Sequence, residues 1–176
     1  YFLDYYYPTN RFNDSQLSRN QILFRKNVWA FKDGILPIQN QYLEVIYNCL
    51  LNKFQKDKLI DYTLTCIPAS TREATIKRFK KFTEDLCSKT GMKNGYTLIQ
   101  NKIDRSAAHN EGNNRFQSKI EMLTFDVAIR EKNVILIDDV ITSGNSFLEI
   151  ANHLIFLGAR SVTGVFLGKT SHIIVN

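Results

Sequence analysis

The chain has 176 residues, 44% of them apolar and 12% aromatic, enough for one domain with a sizeable core and unlike a disordered chain. With 23 basic and 17 acidic residues it carries a net charge of +6, which suits polyanionic ligands and nucleic acid alike. The three cysteines, Cys49, Cys66 and Cys87, are odd in number and scattered, which argues against a disulfide framework and a zinc site, and no apolar run approaches a membrane span.

No repeat, low-complexity tract or Pro/Gly/Ser linker divides the sequence, so residues 1–176 read as a single domain. The chain opens on Tyr1 rather than Met, which leaves room for preceding residues; the cytoplasm is the default expectation. The first dozen residues, YFLDYYYPTNRF, are dense in aromatics. A first helix is predicted from about Gln39 to Phe54, where Leu43, Ile46, Leu50 and Phe54 make one apolar stripe. Tyr62 to Ile67 alternates and stops at Pro68, as a strand would. A second helix follows, with Ser70 as N-cap, Glu73 completing a capping box, and Gly91 just beyond its end. Ile76, Phe79, Phe82 and Leu86 form its expected buried face. Arg72, Lys77, Arg78, Lys80 and Lys81 on the same helix could be a nucleic-acid patch, but helical spacing puts Phe79 and Phe82 on the apolar stripe and favours a plain basic outer face.

Tyr96 to Gln100 reads as another strand. Lys102 to Ser118 is polar and aperiodic, a loop long enough to suggest function, and it offers Lys102, Arg105, His109 and Arg115. The strand-like MLTFDV follows, then a strand from Val134 to Ile137. Ser146 and Glu149 form a capping box for the next helix, whose apolar face is Leu148, Ala151, Leu154 and Ile155 and whose stop is Gly158. Ser161 to Leu167 returns as a strand. Strands alternating with helices at this spacing predict an α/β domain with a central, mostly parallel sheet. His153 and His172 receive no role.

Val134 to Ser146, VILIDDVITSGNS, is the most informative stretch. A continuous Val/Ile-rich run is a strand buried on both faces. Two acids where it ends lie at the carboxyl edge of the sheet, exposed where open α/β folds bind ligands. The small, hydroxylated turn that follows lets backbone N–H groups converge on an anion at a helix start. Carboxylates for hydroxyls beside a nest for a phosphate describe a sugar-phosphate site. A Walker B strand also ends in two acids, but it requires a G-x-x-x-x-G-K-[ST] loop, which this chain lacks. Pro68, Ala69, Ser70, Thr71 and Arg72, at the next strand-to-helix turn, have the character of a second anion cradle.

The thirteen-residue stretch resembles the phosphoribosyl pyrophosphate (PRPP) motif of type I phosphoribosyltransferases. VWAFKDG (28–34), IPASTREATIKRF (67–79) and LGARSVTGVFLGKT (157–170) look closest to the ComF-like, competence-associated branch, although that branch's N-terminal four-cysteine zinc ribbon is absent here. The resemblance implies the type I phosphoribosyltransferase fold, with about residues 1–38 as a hood-like segment. It implies transfer of a phosphoribosyl group from PRPP to a nitrogenous base. Asp138 and Asp139 would hold the ribose hydroxyls and act in catalysis. Val140, Ile141, Thr142, Ser143, Gly144, Asn145 and Ser146 would wrap the 5-phosphate, and Pro68 to Arg72 the pyrophosphate. Arg105 would be the main cation of a loop that closes during reaction. Mg²⁺ would enter with PRPP, without a separate protein metal site. A homodimer is left open, nucleic acid is the less favoured partner, and no membrane is involved. The rival reading is non-enzymatic: a PRPP- or nucleotide-sensing module, or a DNA-uptake accessory protein.

Overall fold

The computed structural model describes residues 1–102 and 118–174. Numbered in chain order, its strands are β1 (Phe2–Tyr6), β2 (Tyr62–Cys66), β3 (Lys93–Asn94), β4 (Ile99–Asn101), β5 (Leu123–Phe125), β6 (Asn133–Ile141) and β7 (Ser161–Thr170). Five of them form a parallel sheet in the order β1-β7-β6-β2-β3, and β4 and β5 pair antiparallel beside it. The helices are α1 (Arg19–Lys32), α2 (Leu36–Lys53), α3 (Arg72–Thr75), α4 (Lys81–Thr90) and α5 (Asn145–Phe156), with a π-helical turn, Ile76–Lys80, joining α3 to α4. The expected mostly parallel sheet flanked by helices is what the chain forms.

β6 is buried on both faces, and its pleat sorts its residues between two cores. Ile135 and Ile137 pack with Val28, Phe31, Ile46, Leu50, Phe79 and Phe82 from α1, α2, the π turn and α4. Val134 and Leu136 pack with Ile150 and Leu154 of α5. Each such side chain contributes about 1.5–3 kcal/mol by leaving water.

Several elements differ from expectation. The sequence reading omits α1 because its inward stripe runs Arg25, Val28, Phe31, with an arginine where an apolar residue is expected. Arg25, 2% exposed, donates to the carbonyls of Tyr7 (3.3 Å) and Phe12 (3.0 Å) and pairs with Asp14. The signal that marks this helix is the Ser18–Gln21 capping box. Of residues 1–38, the predicted hood-like segment, Phe2–Tyr6 pairs with β7 as an edge strand of the sheet and Arg19–Lys32 forms α1. α2 begins at Leu36, before Gln39, with Pro37 in its first turn. Tyr96–Leu98 is a 3₁₀ turn, and β4 follows outside the main sheet.

The predicted caps also shift. Thr71, not Ser70, caps α3, its hydroxyl accepting the Ala74 N–H (3.1 Å), and Glu73 therefore sits one position too early to close a box. Ile76 is 46% exposed because the wider π turn rotates it off the face that Phe79, Phe82 and Leu86 bury. The carbonyls of Lys77 and Arg78 in that turn accept from the buried Gln39 amide (3.2 and 3.0 Å). Gly144, not Ser146, occupies the N-cap of α5, and Glu149 instead accepts from the Ser118 hydroxyl. Ile150, Ala151 and Leu154 face the sheet, while Leu148 and Ile155, seven residues apart on the helix flank, are about half exposed. The two capping readings of α3 separate cleanly: Thr71→Ala should cost about 1 kcal/mol in urea unfolding and Ser70→Ala almost nothing. The reverse order would return the cap to Ser70.

Candidate functional site

β6 outruns its neighbour. Ile137 pairs with Cys66, the last residue of β2, and the two acids follow at the carboxyl edge, where Asp138 is still registered on Phe166 of β7. Because side chains alternate, adjacent acids must diverge. Asp138 continues the face of Val134 and Leu136, and Asp139 that of Ile135 and Ile137. The expectation that both acids are exposed is corrected: Asp139 is buried and Asp138 half-buried.

Asp139 is 6% exposed. Arg78 Nη1 lies 2.8 Å from its Oδ2 and Lys32 Nζ 3.4 Å from its Oδ1. Arg78 Nε also donates to the Lys32 carbonyl (3.3 Å), which joins the end of α1 to the π turn. A carboxylate this buried needs such partners, since an unpaired charge would be very costly there. Asp138 faces a small cavity of about 70 Å³ with Ile67, Lys119, Thr142, Gly144 and Ser146. Burial, then the Asp139 charge, pushes its carboxyl up to about 7, while Lys119, the Asp139 backbone N–H (2.8 Å) and Lys32 pull the other way.

Val140 and Ile141 remain in β6, registered on Gly168 and Lys169, so the predicted phosphate loop is shorter than expected. Thr142, Ser143 and Gly144 form the turn into α5, and Asn145 and Ser146 its first residues. Gly144 has φ +84°, a left-handed conformation that costs any side-chain-bearing residue about 1–2 kcal/mol. It brings the opening N–H groups of α5, which lack intrahelical acceptors, to the mouth of the Asp138 cavity.

The second predicted cradle is held from behind. The Ala69 N–H donates to Thr75 Oγ1 (3.0 Å), and the Asn101 amide donates to the Ala69 carbonyl (2.9 Å). Thr71 is occupied as a cap, Pro68 is buried, and Ser70 and Arg72 are exposed. Arg105, His109 and Arg115 lie outside the described residues; Lys102 is exposed and its N–H closes on Met122 O (2.8 Å).

On the Asp139 side a cavity of about 400 Å³ opens between the N-terminal link and the end of β7. Lys32 and Asp139 lie at one end, Thr142 and Ser143 at another, and Arg11 and His172 close it, the guanidinium donating to the ring Nδ1. The sequence assigns no role to Lys32, Arg11 or His172 and places Arg78 on a plain basic outer face, whereas Arg78 turns inward to the buried Asp139. Only Lys32 and Arg78 left a signal, inside segments 28–34 and 67–79. Among the described residues no group of three or more His, Cys, Asp and Glu could hold a metal, no helix is long and apolar enough to cross a membrane, and the three cysteines are unpaired.

No family model and no curated protein matches the chain. Among solved structures it is similar to a hypoxanthine-guanine phosphoribosyltransferase from Bacillus anthracis, at 15% identity over 78% of this chain and 76% of that one, with a TM-score of 0.46. It is similar to the enzyme of that name from Schistosoma mansoni in complex with IMP, at 13% identity, 79% and 68% coverage and a TM-score of 0.43. A hypoxanthine-guanine-xanthine phosphoribosyltransferase shares 16% identity over 82% of this chain and 70% of its own, with a TM-score of 0.40.

Proposed function

We propose that the chain is a phosphoribosyltransferase of the type I fold, which binds PRPP with Mg²⁺ and passes the phosphoribosyl group to a nitrogenous base, releasing pyrophosphate. The observation that carries this reading is one acid, Asp138, sharing a cavity with the opening turn of α5 at the carboxyl edge of a parallel sheet. The 5-phosphate would sit on residues 142–146, and the ionised Asp138 would hold a ribose hydroxyl and offset positive charge developing at the sugar. Ser70 and Arg72 would meet the pyrophosphate. Asp138 offers one hard oxygen donor set, which fits Mg²⁺ held chiefly by substrate phosphates; the ion would neutralise the leaving pyrophosphate. The 400 Å³ cavity is the natural place for the acceptor.

The engagement of Asp139 by Lys32 and Arg78 favours the sensing alternative, because it removes one of the two expected ribose grips. Calorimetric titration with PRPP, with and without Mg²⁺, combined with a pyrophosphate-release assay across purine and pyrimidine bases, separates the two. Binding with release for at least one base is the expected result. Binding without release for any base would establish the sensor, and no PRPP binding would end both readings.

A further inference from the structure

Ala69, in the turn between β2 and α3, is held at both ends of its backbone. Its N–H donates to Thr75 Oγ1 (3.0 Å), and its carbonyl accepts from the Asn101 side-chain amide (2.9 Å). The two partners also meet each other. The Thr75 hydroxyl has one proton and two acceptors in reach, Thr71 O (2.9 Å) and Asn101 Oδ1 (3.2 Å). Both side chains are polar where packing alone asks for an apolar one. Thr75 is buried. Asn101 shares a face of β4 with the buried Ile99 and is registered on the buried Leu123 of β5.

Peptide geometry gives this clamp a direction. No peptide bond among the described residues is cis. The Ala69 carbonyl and the Ser70 N–H therefore lie in one plane and point opposite ways. With the carbonyl drawn to Asn101, the Ser70 N–H is aimed away from β4. Thr75 holds the preceding N–H, so the turn cannot answer by rotating Ala69 as a whole. A backbone donor aimed in advance needs no reorganisation when an anion arrives. On the reading that residues 68–72 meet the pyrophosphate, we propose that Asn101 and Thr75 are positioning residues for it, fixing the Ala69 peptide so that the Ser70 N–H is presented to a phosphate oxygen. Neither acts on the ligand directly. The β4–β5 pair, which lies outside the main sheet, thereby becomes the support of the cradle.

The test is calorimetric titration with inorganic pyrophosphate plus Mg²⁺ and, separately, with ribose 5-phosphate, which should meet residues 142–146. Asn101→Leu, close in size and without a donor, should weaken pyrophosphate at least tenfold and leave ribose 5-phosphate unchanged. Thr75→Val should do the same, and Thr75→Ser, which keeps the hydroxyl, should restore parent-like pyrophosphate binding. Urea unfolding checks that each variant folds. Parent-like pyrophosphate binding by both Asn101→Leu and Thr75→Val would overturn the proposal. So would an equal loss of both ligands, because a merely structural role moves the two together. Arg72→Ala tells the cradle from its support. If it weakens pyrophosphate while the other two variants do not, the cradle stands and the clamp falls. If the parent binds no pyrophosphate, the cradle reading falls and the clamp with it, while ribose 5-phosphate still reports on the site at Asp138.

Discussion

Asp138→Asn should make the protein more stable at pH 8, by as much as about 4 kcal/mol, while weakening PRPP more than tenfold. The carboxyl is pushed up to about 7 in the folded chain, against about 3.9 for an unfolded aspartate. Between those values the folded state keeps a proton that the unfolded state has lost. Stability therefore falls as pH rises from about 4 to about 7, stays level above, and carries no penalty below about 4. Three units at about 1.4 kcal/mol each set the scale. Asparagine is neutral throughout and escapes the penalty, but it forfeits charge-assisted bonds worth roughly 1.5–3 kcal/mol to a ligand hydroxyl. Urea unfolding of parent and variant at pH 5, 6, 7 and 8 should show the gap widening with pH. Parallel profiles would mean that Asp138 ionises like an ordinary surface acid. In the parent, PRPP affinity should drop as pH falls through about 7.

Arg78→Ala should act in the opposite direction, destabilising by about 3 kcal/mol. Among the described residues it leaves Asp139 buried with Lys32, at 3.4 Å, as its one cationic partner. Stripping one member from a buried ion pair typically costs about 3–5 kcal/mol, and the lower end applies because the Arg78 side chain is 23% exposed. Adding Asp139→Asn should recover much of the loss, since the stranded charge disappears with it. A double-mutant cycle measures that coupling. If the two changes simply add, the 2.8 Å contact contributes little and Asp139 is free for other work.

What could be read from the sequence follows from the range of each cause. The Val134–Ile137 run, the turn through Gly144 and the stops at Gly91 and Gly158 depend on neighbours in the chain, and they appear where the residues place them. The direction of the two acids was also legible, since the two-residue pleat of β6 continues through Asp138 and Asp139. The partners of Asp139 were not, because Arg78 is 61 residues away in the chain. α1 stayed hidden because a single buried arginine breaks its stripe, and no local pattern distinguishes a buried Arg25 from a solvated one.

The π turn between α3 and α4 gives this rod an insertional logic. It holds one residue more than an α-helical turn requires. Phe79, Phe82 and Leu86 stay in the core on one side of it, while Ile76 is turned half out to solvent and Arg78 to a buried acid. Removing one residue from the turn would rotate the upstream half by about 100° relative to the downstream half, so one deletion would alter the setting of Ile76 and the reach of Arg78 to Asp139 together.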